Sequence, residues 1–165
     1  MWRKNRRDGY GVDLNRNYGY QWGNIGASDD KEDETYHGTK PFSEPETQAI
    51  RNLAEREHFY ASISFHSYGN LILYPFGYTN RIKTSNDTLF LELAQRIGKI
   101  IDYTPQRSAD LYPTGGDSDD YLYTQFGTLS FTIELGTQFV PDKIELSSIL
   151  HKNLKASMNL IENRK

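Results

Sequence analysis

Two residues stand where an apolar run stops. His66 closes "YASISFH" and Glu134 comes near the end of "TLSFTIEL". An imidazole can hold a metal ion or move a proton near neutral pH. A carboxylate at a buried strand end loses its water, which raises its proton affinity towards that of a working general base or acid. Each has a plainer reading: a hydrogen-bonded histidine, and a glutamate at an edge facing solvent. Together the two look less accidental than either alone. Asn15 and Arg16 are neighbours in "GVDLNRNYGY". A guanidinium fork matches a carboxylate bidentately and an amide adds a further donor, although the same loop could use asparagine only to turn. Glu55 and His58 have the Glu-x-x-His spacing of carboxylate metal bundles. One copy on an amphipathic helix reads first as surface. "RKNRR" (3–7) reads as a basic tail and "SDDKEDE" (28–34) as a solvated acidic loop.

The elements that must position these groups follow from periodicity. "FSEPETQAIRNLAEREH" starts a helix, with Ser43 and Glu46 spaced as a capping box and Pro45 in the first turn. Segments 60–66, 71–78 and 128–135 are rich in β-branched and apolar residues and read as strands, the second stopped by Pro75. Leu89, Leu93, Ile97 and Ile101 recur every fourth residue, which predicts an amphipathic helix over 86–101. A Gly-rich loop in 108–127 runs into a short helix capped by Asp117 or Ser118. The segment 141–163 opens on a second capping-box spacing, Asp142 with Glu145, and reads as a long amphipathic helix. Strands alternating with helices predict an α/β fold, with helices packed on a mixed sheet.

The totals narrow the chemistry. A chain of 165 residues suits one domain, here 1–165, with a single sizeable core. Nineteen Lys and Arg against 22 Asp and Glu leave a net charge of -3, and the basic residues form no stripe, which argues against nucleic acid as a partner. No apolar run of about 18 residues is present to span a membrane, and no charged and apolar leader of the secretory kind opens the chain. There is no cysteine, so any metal must sit on His, Asp or Glu.

The order of the motifs is more specific than any one of them. "MWRKNRR", "GVDLNRNYGYQWG", "YHGTKPFSEPET", "FHSYGNLILYPFGY", "LYPTGGDSDDYLY" and "FTIELG" follow one another. This series resembles the zinc metallocarboxypeptidases of the pancreatic carboxypeptidase A/B type, most of all the bacterial carboxypeptidase T branch. The resemblance implies a zinc-dependent exopeptidase that removes the C-terminal residue of peptides with a metal-activated water. It implies His66 as a zinc ligand and Glu134 as the group that takes a proton from that water and passes it to the leaving amine. Arg3 would polarise the scissile carbonyl, and Asn15 and Arg16 would grip the substrate's terminal carboxylate. Tyr112 would fold over the bound residue, Tyr68 would line the neighbouring subsite, and Asp119 would lie at the floor of the specificity pocket, favouring Lys or Arg.

The chain also departs from that pattern. The family's other two zinc ligands come from a His-x-x-Glu motif upstream of "WRK", and none of His37, His58, His66 or His151 has a glutamate three residues later. The sequence therefore reads as the C-terminal part of one catalytic domain, lacking the N-terminal strands, with Met1 internal to a longer parent. One zinc ion would lack two of its three protein ligands here. The expected substrates are peptide or protein C-termini, and the full-length parent is expected to be secreted. For the chain alone, the sheet edge left by missing strands, placed beside "TLSFTIEL", predicts self-association. Two other readings stand beside this one. The chain could be an inactive remnant that binds peptide C-termini without hydrolysis, or it could use the same fold as an amidohydrolase on another acyl substrate.

Overall fold

The computed structural model describes residues 2–162. Among them are helices α1 (Pro45–Glu57), α2 (Asp87–Ile101), α3 (Ser108–Leu111), α4 (Ser118–Phe126) and α5 (Lys143–Glu162). The strands are β1 (Ala61–His66), β2 (Leu71–Tyr74), β3 (Thr104–Arg107) and β4 (Leu129–Glu134). The four strands form one mixed sheet in the order β1-β4-β2-β3. β4 runs parallel to β1 and antiparallel to β2, and β3 is parallel to β2.

Alternation along β4 divides the layers. Leu129, Phe131 and Ile133 point into the main core with Ile72 of β2, with Phe90, Leu93, Ala94, Ile97 and Ile101 of α2, and with Ala156 and Leu160 of α5. Ser130, Thr132 and Glu134 take the opposite face, where Thr132 Oγ1 donates to Asp119 of α4 at 2.8 Å. A second cluster of Tyr18, Ala54, Tyr121 and Leu122 ties α1 and the N-terminal loops to α4. Burying a side chain such as Phe131, which is fully enclosed, contributes about 1.5–3 kcal/mol.

Several expectations are refined. The Ser43 capping box does not form: Glu44 is the N-cap residue of α1 without a side-chain cap bond, and Ser43 Oγ donates to its carboxylate instead. Asp117 caps α4 through the Asp120 N–H, as expected. Asp142 accepts from the Ile144 and Glu145 N–H groups, but the Glu145 carboxylate turns to Thr137, so only half of that box exists. β3 was not anticipated, because "TPQR" is short, polar and contains proline. The "RKNRR" segment is no free tail: Asn5 and Arg7 bond the buried Glu44 carboxylate, and Lys4 Nζ donates to the carbonyls of Lys31 and Asp33. The open sheet edge also lies elsewhere than expected. β4 is interior, with neighbours on both sides, and the strand with an open side next to it is β1.

Candidate active site

Parallel pairing sets His66 opposite Glu134, each the last residue of its strand. Two side chains on one face of adjacent strands meet closely, and His66 Nδ1 lies 3.8 Å from Glu134 Oε1. Glu134 is buried, and loss of water pushes its carboxyl up to about 7, against the pull of Arg3. Burial lowers the proton affinity of His66, and the positive charge of Arg3 lowers it further. Both effects favour the neutral imidazole, the form that can ligate a metal.

From this pair a cleft opens between the sheet and the loops. Its walls include Asn15, Arg16, Leu111, Tyr112, Asp117 and Asp119, together with His66 and Glu134 themselves. Arg16 is buried, and its Nε and Nη1 donate to the carbonyls of Gly26 and Asn15, at 2.7 Å each. Two anchored N–H groups fix the plane of the guanidinium. Asn15 Oδ1 accepts from the Ser118 N–H at 3.1 Å, which leaves the amide NH2 as its donor. The loop can sit so close to α4 because Gly116 has φ 75° and no side chain; a Cβ there would meet the backbone of Arg16.

The far end of the cleft is acidic. Asp117, Asp119 and Asp120 are all buried. Asp120 is occupied, accepting from the Gly77 and Tyr78 N–H groups. By contrast Asp117 Oδ2 and Asp119 Oδ1 are buried oxygens with no hydrogen-bond partner. Burial, reinforced by the charge of Asp117, pushes the Asp119 carboxyl up to about 7. Two unpartnered buried carboxylate oxygens call for a cation or donor to complete them.

Arg3 lies outside this cleft. It lines a second hollow that also reaches His66 and Asn15, with Trp2, Asp13, Phe65 and Phe139, and pairs with Asp13 at 2.8 Å. Asp13 went unnoticed in the sequence. Its Oδ1 also accepts from the Asn15 N–H, so one buried carboxylate positions Arg3 and the Asn15–Arg16 turn together. The signal for it was the Asp-x-Asn spacing that Asx turns favour. Tyr112 is half exposed at the cleft mouth. Tyr68 lines neither hollow but packs edge-on against Phe139, centroids 4.7 Å apart. Glu55 and His58 take no part: Glu55 approaches Arg51 at 3.8 Å and His58 caps α1. Among the described residues no three His, Asp or Glu side chains converge to hold a metal ion.

This geometry has known counterparts. The family profile for zinc carboxypeptidases matches residues 1–156. Carboxypeptidase O of Bos taurus is 34% identical over 98% of this chain and 48% of its own length. Carboxypeptidase B of the same species is 38% identical over 82% of the chain and 36% of its own length. Among solved structures, thrombin-activatable fibrinolysis inhibitor superposes with a TM-score of 0.83 at 30% identity, over 89% of this chain and 42% of that one. The carboxypeptidase A of Helicoverpa armigera gives 0.73 at 28% identity, over 94% and 46% of the two chains. The chain thus spans about half or less of the curated relatives it matches. Over the stretch it does span, the motif order, the mixed sheet and the profile agree, and the chain belongs to the zinc carboxypeptidase family.

Proposed function

We propose that this chain supplies the substrate grip, the general base and one metal ligand of a carboxypeptidase that hydrolyses the last peptide bond of peptides and proteins. The observation that carries the reading is the His66–Glu134 pair opening onto a cleft with a fixed guanidinium near it and carboxylates at its end. Arg16 and the Asn15 amide hold the terminal carboxylate. Tyr112 closes over the bound residue from the mouth. Glu134, with its proton affinity raised to about 7, takes a proton from the attacking water and returns it to the leaving amine near neutral pH. Arg3, held by Asp13, faces the carbonyl side and stabilises the oxyanion. Asp119, with Asp117 beside it, selects Lys or Arg as the C-terminal residue.

Zinc bound beside these groups would polarise the carbonyl and acidify water. The described residues do not fit it unaided, since His66 is one ligand and no second or third converges on it. That favours a second reading for the chain alone, which is binding of peptide C-termini without turnover. Export of the parent belongs to the same proposal, and among the described residues no helix is long and apolar enough to cross a membrane.

Titration of residues 1–165 with Nα-acetyl-arginine and Nα-acetyl-leucine tests the grip. The arginine ligand should bind at least about tenfold tighter, roughly 1.4 kcal/mol, and Asp119→Asn should erase the difference. Binding of neither ligand rejects C-terminal recognition, and equal binding rejects the acidic floor. Elemental analysis with a blocked dipeptide substrate should find no stoichiometric zinc and no turnover. Stoichiometric zinc with turnover would mean that other residues complete the ligand set. In a zinc-loaded, active parent, Glu134→Gln should abolish turnover with zinc retained, and a loss below about tenfold would remove Glu134 from the role of base.

A further inference from the structure

The acidic end of the cleft holds more negative charge than its surroundings balance. Asp117, Asp119 and Asp120 crowd the start of α4, and burial raises the proton affinity of each. Burial takes Asp119 up to about 7 and Asp120 up to about 8, with the charge of Asp117 adding to both. From the N-terminal loops, Arg16 faces them with a charge that opposes the rise at Asp117. Tyr18 faces them too, its phenol pushed up to about 12 by burial. From β4 come Thr132 and, beside His66 in the same cleft, Glu134, itself pushed up to about 7 by burial. The segment after β2 brings the Gly77 and Tyr78 N–H groups, both given to Asp120, and the Tyr78 phenol. Among the described residues Arg16 is the one permanent cation in the cleft walls, and its Nε and Nη1 are taken by carbonyls. Buried carboxylates so placed keep a proton more readily than they keep full charge.

Thr132 Oγ1 donates to Asp119 Oδ2, which leaves Oδ1 without a partner. The Asp120 N–H donates to Asp117 Oδ1, which leaves its Oδ2 in the same position. Both side chains line the cleft, although Asp119 is only 4% exposed and Asp117 7%. Gly77 keeps the Asp117 oxygen open, since a Cβ there would stand 3.0 Å from it. Thr114 Oγ1 lies unpartnered in the same walls and can donate or accept. Fully ionised, the two carboxylates present only acceptors, the pattern that a guanidinium or ammonium completes. With one proton on either orphaned oxygen they present one donor and one acceptor. A primary amide has the complementary pattern, a carbonyl beside an NH2 group. We infer that this pocket accepts a C-terminal glutamine as well as arginine or lysine, the resident proton deciding which. The amide enters with the proton retained, and the cation enters as the proton leaves to solvent. This deepens the carboxypeptidase reading and rests on its assignment of the cleft to the C-terminal residue.

The probes are Nα-acetyl-glutamine, Nα-acetyl-arginine and Nα-acetyl-methionine, titrated into residues 1–165. Two conditions bracket the Asp119 value of about 7, one at about pH 5.5 and one at about pH 8.5. Methionine has a side chain of similar length without amide or charge, so ratios to it cancel the titration of Glu134 and His66. At the lower pH glutamine should bind at least about tenfold tighter than methionine, and that advantage should fade at the higher pH. Arginine should gain at least about tenfold on glutamine between the lower pH and the higher, where its preference over leucine belongs. Compared in two buffers of different ionisation enthalpy at neutral pH, arginine binding should release about one proton and glutamine binding none. Asp119→Asn keeps a donor and an acceptor at every pH, so it should bind glutamine as tightly at the higher pH as at the lower. Glutamine no tighter than methionine at the lower pH overturns the inference, and so does an arginine-to-glutamine ratio indifferent to pH. If Asp119→Asn does not fold, the proton count on the unchanged chain still decides. Arginine preference without these pH effects sinks this inference alone. Binding of none of the three sinks the C-terminal grip and this inference with it.

Discussion

Residues 2–44 and residues 45–162 reach a fixed shape by different means. The second region is an α/β layer whose order comes from apolar burial, with Phe90, Phe131, Ile72, Ile97 and Ile133 wholly enclosed. The first contains no strand, and its only helices are two three-residue 3-10 turns. It is held by buried polar side chains that bond the backbone. Asn17 is the hub: its Nδ2 donates to the carbonyls of His37 and Lys40 and to Ser43 Oγ, while its Oδ1 accepts from Thr47 Oγ1 and the Glu44 N–H. The buried Glu44 carboxylate collects Asn5, Arg7 and Ser43. Loops have no ladder of their own, so their backbone groups must be met by side chains. The candidate cleft straddles both regions, with His66 and Glu134 from the sheet and Asn15 and Arg16 from the loops, while Arg3 lines the neighbouring hollow.

The contrast can be broken from either side. Phe131→Ala removes a large side chain from the sheet core and should cost about 3–5 kcal/mol, read as a lower denaturation midpoint with ligand binding falling only as the fold is lost. Asn17→Ala should cost about 3 kcal/mol, since it strands several buried partners at once. Its signature should differ: weaker acetyl-arginine binding at temperatures where far-ultraviolet dichroism still reports intact helices. If the two variants lose binding and helicity together, the regions are one cooperative unit. Asp119→Asn gives the smallest and most conditional effect. Its carboxyl is pushed from 3.8 up to about 7 by burial, so the fold penalises the ionised form. The stability tied to that proton is complete below about pH 4 and lost as pH rises through about 7. The variant should have a flatter pH–stability profile and exceed the parent at pH 8. An unchanged slope between pH 4 and 8 would place the proton elsewhere.

The two regions were also unequally legible. Repetition of Leu89, Leu93, Ile97 and Ile101 defines α2, because burial imposes a period that sequence displays. The strand ends at His66 and Glu134 stand out because ionisable groups interrupt apolar runs. Nothing periodic marks Asn17, Glu44 or Asp13, whose partners are a mixture of side-chain and backbone groups, many of them far away in sequence. β3 failed to show for a related reason: "TPQR" is held by pairing with β2, and its composition resembles a loop. The open edge was assigned beside "TLSFTIEL" because strand order is a property of crossovers, which local composition does not carry. The roles of Arg3, Tyr68 and Tyr112 came from motif order, and of these only Tyr112 lines the cleft itself.

The bond from the Ser118 N–H to Asn15 bears on how this site can drift over evolutionary time. Asn15 reads the backbone N–H of residue 118, not its side chain. Any residue other than proline supplies that donor, so position 118 can change freely as far as this contact is concerned. Asn15 has no such freedom, because its amide must accept from the helix start and still present a donor to the cleft. Among homologues the partners of this one bond should therefore diverge at very different rates, with variation at 118 stopping short of proline and variation at 15 nearly absent.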